Sequence, residues 1–248
     1  MIELKGKSAI LTGAAEGWGY EIAKAYIGAG MRVALMDIQA EKLHKLADEA
    51  KAMGGDCLPI VVDLADAEAT QAAADEALAY CGTPRVLVHN AAVLKEVSIL
   101  DVTFENWRRE MNIIIQAAFI LSKAVWPKMV EAKSGSIVYI SSGSGIKGFV
   151  KETAYCPGKH SQEGLMKVLS MEGEPYNIAV NTITPGAPIR TPMSAAHYTP
   201  ELQARWIDPV MIAPAFLYLA GLDAKTTTGH RLDAWQLSEA MRVAQAYL

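Results

Sequence analysis

Cysteine is scarce in this chain. Three of its 248 residues are cysteines, Cys57, Cys81 and Cys156, and no two of them form a C-x-x-C pair. Three thiols cannot all pair within one chain, which excludes a complete disulfide framework and points to reduced thiols in a cytoplasmic setting. Histidine is sparse too. The five present show no H-E-x-x-H or comparable ligand spacing, so no metal is expected. Neither sign of charge dominates: 23 basic against 27 acidic residues leave a net charge of -4, with no general attraction to nucleic acid or to an anionic membrane. A clean apolar run of about 20 residues is missing, and no membrane span is expected. The most apolar long segment, Met111 to Trp126, is interrupted by Asn112, Gln116, Ser122 and Lys123. The chain opens directly on Lys5-Gly6-Lys7-Ser8, too soon for a signal peptide. Repeats, low-complexity tracts and linkers are absent as well.

What is present is a regular alternation. Half of the residues are apolar (51%), enough for a large core. Short apolar runs read as strands at Ala9–Thr12, Met31–Asp37, Cys57–Val62, Arg85–His89, Ser136–Ser141 and Ile178–Ile183. Amphipathic stretches of helical length lie between them at Gly17–Ala29, Ala40–Met53, Ala67–Tyr80, Phe104–Ala132 and Tyr155–Gly173. Near-continuous apolar strands alternating with helices imply a parallel sheet buried on both faces. The predicted fold class is α/β: one doubly wound, Rossmann-like domain over residues 1–248, with about seven strands and helices on both faces. Its ligand crevice should lie at the carboxyl ends of the strands. Residues 1–135 would form mainly a cofactor-binding half, and residues 136–248 would carry the reactive groups and a substrate loop.

The turn between the first strand and the first helix is Thr12-Gly13-Ala14-Ala15-Glu16-Gly17-Trp18-Gly19. Glycines there permit a tight turn and close approach of backbone to a pyrophosphate, which would rest on the positive end of the following helix. The spacing is G-x-x-x-G-x-G. Asp37 ends the second strand, 20 residues beyond Gly17, where a carboxylate would accept hydrogen bonds from adenosine ribose hydroxyls. Its charge, with that of Glu16, would repel a ribose 2′-phosphate, and no Arg or Lys stands close in sequence to counter it. NAD is therefore expected ahead of NADP.

Tyr155 and Lys159 stand four residues apart at the opening of a helical stretch, on one face of it. A free phenol has a pKa of about 10. A cation at ~4 Å in an effective dielectric of ~20 contributes roughly 4 kcal/mol, or about three pKa units. That would bring the phenol close to working pH as a general acid–base catalyst. Pro157 lies between the two, so the helix should begin within a few residues of Thr153.

With these features in place, the chain resembles the short-chain dehydrogenase/reductase family over most of its length. Thr12–Gly19 looks like that family's cofactor loop. Asp63-Leu64 matches its adenine-contact dipeptide, and Asn90-Ala91-Ala92 is similar to its N-A-G element. Asn112 falls where the family keeps a structural and proton-relay asparagine. Ser142 precedes Tyr155 by 13 residues, the usual spacing of the catalytic serine. Pro185-Gly186 with Thr191 resembles the segment that holds the nicotinamide, and Ile189 aligns with the partner of its amide.

The resemblance implies an NAD-dependent oxidoreductase interconverting a secondary alcohol with its ketone or lactone. The substrate would be a small sugar, polyol, hydroxy acid or cyclic alcohol. Ser142 would hydrogen-bond the reacting oxygen and Tyr155 would take its proton. Lys159 would lower the phenol pKa and bind the nicotinamide ribose, and Asn112 would hold a water linking Lys159 to solvent. A homo-oligomer, dimer or tetramer, is implied as well. Several positions depart from the family pattern: Trp18 for a smaller aliphatic residue, His89 and Ala92 flanking Asn90-Ala91, and Gly158 where serine is common, which would leave room beside the cofactor. The Pro185–Thr191 segment is one residue longer, and Asp233-Ala234-Trp235 replaces D-G-G. Substrate choice would come from Val93–Val97, Gly143–Lys151 and Pro192–Ile207, where Lys95, Lys147, Lys151 and Arg190 are candidate partners for an anionic or polyhydroxylated substrate. The alternatives are a non-catalytic NAD-binding sensor and an epimerase or dehydratase on the same fold.

Overall fold

A computed structural model describes residues 3–246. The chain runs β1 (Ser8–Thr12), α1 (Gly17–Gly28), β2 (Arg32–Asp37), α2 (Ala40–Ala52), β3 (Asp56–Val61), α3 (Ala67–Cys81) and β4 (Val86–His89). It continues through α4 (Phe104–Met111), α5 (Ala117–Ala132), β5 (Gly135–Ile140), α6 (Tyr155–Gly173) and β6 (Ile178–Thr184). The last part holds α7 (Pro192–His197), α8 (Pro200–Gln203), α9 (Pro214–Gly221), β7 (Arg231–Asp233) and α10 (Ala234–Ala246).

All seven strands are parallel, in the order β3-β2-β1-β4-β5-β6-β7. Period-2 alternation divides their side chains between two cores. Leu11, Val33, Leu35 and Val88 join the layer that contains Ile22, Tyr26 and Phe216. Ile10, Ala34, Met36 and Leu87 join the layer that contains Ala74, Leu121, Val125 and Met166. The strand order reverses between β1 and β4, whose last residues, Thr12 and His89, are register partners. Ligands of open α/β sheets bind at such a reversal, beyond the strand ends.

Two elements differ from expectation. The seventh strand is only three residues long and opens on Arg231, which gives no apolar run to read. The predicted Phe104–Ala132 helix is broken by a π-helical turn, Asn112–Gln116, in which the Ala117 amide bonds back to the Asn112 carbonyl. That turn has packing on both sides. The Asn112 side chain donates to the Ala65 carbonyl at 2.9 Å. Across from it, a Cβ on Gly158 would meet Ile114 at 3.0–3.2 Å. Gly158 thus brings α6 close to the π turn, and this replaces the expectation that it makes room for a cofactor. The 104–132 segment has the length and mean hydropathy (1.4) to cross a membrane. Here Ile114, Ala117, Leu121, Val125 and Met129 instead bury it in the core.

Candidate active site

Beyond the carboxyl ends of the strands lies a cleft of about 910 Å³. Every expected site residue lines it except Gly19 and Asn112, whose chain neighbours Trp18 and Ile113 do. Gly13 and Gly17 turn the chain after β1 with φ of +64° and +59°, a region open to glycine at little cost. Glu16 precedes α1 without capping it by its side chain, so among the described residues the first-turn amides of that helix have no side-chain acceptor. Asn90 Nδ2 donates to the Gly13 carbonyl at 2.8 Å and pins the loop to the end of β4. Asp37 pins it from β2: one carboxylate oxygen accepts the Ala15 amide and the other the Gln39 amide, both at 2.9 Å. Glu16 is ion-paired with Lys42. A lysine therefore does offset one of the two carboxylates counted against a 2′-phosphate, a contact invisible across 26 residues of sequence because it depends on how α2 packs beside the loop. Asp63 is held by Arg109 at 2.9 and 3.2 Å. Trp18 packs edge-on against Phe216 with centroids 5.0 Å apart, and its buried Nε1 has no partner among the described residues.

His89, which departs from the family pattern, closes a hydrogen-bonded chain behind the cleft. Thr12 Oγ1 accepts the Asn90 and Ala91 amides at 3.0 Å, so its own proton goes to His89 Nδ1, 3.0 Å away. The Nε2 proton then goes to the Ile113 carbonyl, also at 3.0 Å, and ties β4 to the π turn. Burial, helped by the nearby Lys159 charge, pushes the His89 pKa down from 6.5 to about 3. Between those values the unfolded chain binds more protons than the folded one, so stability rises with pH across the window. The contribution is complete above pH 6.5 and lost toward pH 3. Urea unfolding is expected to show roughly 2–3 kcal/mol less stability at pH 4.5 than at pH 7 from this residue. In His89→Asn that pH dependence should flatten; equal slopes in parent and variant would exclude His89 as its source.

α6 begins at Tyr155, and Pro157 falls in its first turn, where no intrahelical donor is lost. Tyr155 and Lys159 both face the cleft and are buried, at 8% and 1% exposure. Lys159 Nζ lies 5.4 Å from the Tyr155 ring centroid. It donates to the Ile140 carbonyl at 2.6 Å and to Gln162 Oε1 at 3.2 Å. Burial holds the Tyr155 phenol above its ordinary value; the Ser142 hydroxyl pulls the other way, and Glu152 adds to the rise. Burial also brings Lys159 down to about 7, against the pull of Glu163. Burial thus moves the phenol in the direction opposite to the three-unit fall expected of the pair. Ser142 sits two residues beyond β5, where its Oγ accepts the Ser144 amide at 3.2 Å.

The segment after β6 forms the opposite wall. Gly186 has φ +75°, and a Cβ there would collide with the Asp233 carboxylate. Ile189 lines the cleft, its carbonyl held by Ser194 Oγ at 2.5 Å, while Thr191 and Ser194 cap α7 reciprocally. On the substrate side the cleft presents Glu96, Glu152, His197 and Tyr198, with Glu96 and His197 3.5 Å apart. None of the four candidate cations lines it. Arg190 is turned to Asp208 at 2.9 Å, and Lys95 reaches toward Asn106 at 3.4 Å.

Sequence reasoning passed over Arg109, Gln162, Glu163 and Arg231. Gln162 and Glu163 carry a signal in their spacing. They follow Lys159 by three and four residues and so share its inward face, where two polar side chains need buried partners.

A family model described as short chain dehydrogenase matches residues 7–201. The chain is 36% identical to trans-4-hydroxycyclohexanecarboxylate dehydrogenase of Sinomonas cyclohexanicum, covering 76% of this chain and 74% of that protein. It is 35% identical to D-threitol dehydrogenase of Mycolicibacterium smegmatis, covering 73% and 70%. Among solved structures it is similar to a metagenomic short-chain oxidoreductase in complex with NADP, with a TM-score of 0.81, 28% identity and 94% and 98% coverage.

Proposed function

Because the chain belongs to the short-chain dehydrogenase family, we propose that it oxidises a secondary alcohol to its ketone or lactone, and catalyses the reverse, with NAD preferred. One observation carries this reading: Ser142, Tyr155 and Lys159 open into the same cleft as the glycine turn and Asp37. The fit to a dinucleotide rests on that turn, where glycine backbone and uncapped first-turn amides offer an anion seat. The Asp37 carboxylate suits the ribose hydroxyls, and Asp63, Leu64, Asn90 and Ala91 continue the same wall. When bound, the nicotinamide ring supplies the hydride acceptor. Tyr155 takes the hydroxyl proton, Ser142 holds the reacting oxygen, and Lys159 orients the nicotinamide ribose. Pro185, Gly186, Ile189 and Thr191 hold the carboxamide end. Asn112, at the π turn, is assigned to the proton path beyond Lys159.

The carboxylates on the substrate side favour a neutral sugar, polyol or cyclic alcohol over a hydroxy acid. Phe119, Val168 and Met171, exposed on α5 and α6, support a homo-oligomer, and three free thiols support a cytoplasmic setting.

Incubation with NAD+ or NADP+ and a panel of sorbitol, threitol, galactose, cyclohexanol and gluconate tests the reading. Stoichiometric NADH with oxidised product is expected, faster from NAD+ and from the neutral alcohols. Gluconate should gain in kcat/KM in Glu152→Gln. Isomerised product without net NADH would make the protein an epimerase, and cofactor binding without turnover would make it a sensor.

A further inference from the structure

Beneath Ser142 lies an ion pair with no part in the reading above. Glu163 and Arg231 are 2.5 Å apart, with side-chain exposures of 10% and 24%. Glu163 Oε1 also accepts the Ser141 hydroxyl at 2.5 Å, and its Oε2 accepts the Thr182 hydroxyl at 2.9 Å. Arg231 donates through one terminal nitrogen to Ser141 Oγ at 2.8 Å and through the other to the Ser142 carbonyl at 2.7 Å. The planar guanidinium makes these bonds as a rigid fork. The pair thus joins α6, β6 and the first residue of β7 to the segment that follows β5.

The fit around it is close. A Cβ on Gly145 would lie 2.6 Å from Ser141 Oγ and 3.2 Å from Glu163 Oε1, so the turn after Ser142 closes directly over the carboxylate. Arg231 borders two spaces: the active-site cleft and, behind it, an open cavity of about 540 Å³. Burying the Glu163 carboxylate costs desolvation, and replacing a buried ion pair with apolar residues is often neutral or stabilising. Holding the fold together therefore gives little reason for its being here. Holding one carbonyl does.

We propose that Arg231, braced by Glu163, is a positioning residue for hydride transfer, fixing the Ser142 backbone so that the serine hydroxyl meets the oxygen reacting at Tyr155. This rests on the assignment of Ser142 and Tyr155 to the chemistry. A misplacement of about 1 Å at such a group costs on the order of 100-fold in rate. Glu163 has a second effect: one helical turn from Lys159, its charge favours the ammonium against burial.

The test is steady-state kinetics on Arg231→Ala, Arg231→Lys and Glu163→Gln, with NAD+ and the panel alcohol that the parent oxidises fastest. Arg231→Ala should lower kcat about 30- to 100-fold while KM for NAD+ stays within twofold, because the clamp touches the serine and not the dinucleotide. Guanidinium ion at millimolar concentration, entering through the rear cavity, should restore part of that kcat, and methylammonium should not. Arg231→Lys cannot span both the Ser142 carbonyl and Glu163, so it should lose about tenfold in kcat, and Glu163→Gln a comparable amount. If Arg231→Ala does not fold, the lysine and glutamine variants decide: parental kcat in both overturns the proposal. So does an equal fall of kcat and NAD+ affinity in Arg231→Ala without guanidinium rescue, the mark of a merely structural pair. Tyr155→Phe assayed beside them separates the two levels. An active Tyr155→Phe removes the catalytic reading and this inference with it; an inactive one beside a fully active Arg231→Ala removes this inference alone.

Discussion

Tyr155→Phe is expected to lose at least three orders of magnitude in kcat while binding NAD+ within twofold of the parent. The size follows from what the hydroxyl does. A positioned general base contributes roughly 10²- to 10⁴-fold, and the other groups around it are poor replacements. Ser142 is a weaker base still, His89 is committed at both nitrogens, and Lys159 donates to Ile140 and Gln162. The fold should be indifferent to the change. Phenylalanine fills the same ring volume, and the lost hydroxyl leaves no backbone group unpaired, so unfolding should shift by no more than about 1 kcal/mol. Steady-state rates at saturating alcohol, with an NADH fluorescence titration alongside, check both halves. A variant within tenfold of the parent would remove Tyr155 from the chemistry.

That experiment also bears on how the phenol becomes a base. Burial alone raises Tyr155 and lowers Lys159, which favours a neutral phenol beside a partly neutral amine. Four-residue spacing makes the two neighbours, but neighbourhood does not fix the sign of the net shift. The sign depends on how much water is excluded, and that is a property of the assembled cleft. The positive charge of an oxidised nicotinamide acts in the direction that burial opposes.

The same division runs through the molecule. Local pattern makes six of the strands and the Tyr155–Gly173 helix legible, because apolar runs and helical spacing are properties of neighbouring residues. The glycine turn, Asp37 and the Tyr155–Lys159 pair are legible for the same reason, as short motifs in a recognisable order. The break at Asn112 is not: the i→i+5 turn answers to Ala65, 47 residues away, and to a missing side chain at Gly158. Nor is the role of Arg231, whose partners Ser141, Ser142 and Glu163 come from two other elements 68 to 90 residues back. Lys42 and Glu16 are a further case, 26 residues apart and brought together only by how α2 docks beside the glycine turn.

Gly19→Ala is expected to weaken NAD+ binding by more than 100-fold, although alanine is the better helix former. Its backbone does not require glycine; the space does. A Cβ at this position would collide with the Gly13 carbonyl oxygen and come within 2.7 Å of Asn90 Nδ2. Neither neighbour can retreat. The Gly13 carbonyl is held by Asn90 at 2.8 Å, and Asn90 is anchored in turn through its amide on Thr12 Oγ1 at 3.0 Å. Relief can come only by prising α1 away from the turn, which dismantles the backbone seat assigned to the pyrophosphate. Overpacking of this kind costs about 1–3 kcal/mol of stability, a fall of roughly 2–12 °C in Tm for a chain of this size. Gly28→Ala is the matched control. It lies at the far end of the same helix with nothing within 4 Å of its would-be Cβ. There alanine should be neutral or stabilising by up to about 1 kcal/mol, with NAD+ affinity unchanged. Thermal melts and fluorescence titrations of the two variants make the comparison, and parental affinity in Gly19→Ala would mean that the dinucleotide does not rest on this turn.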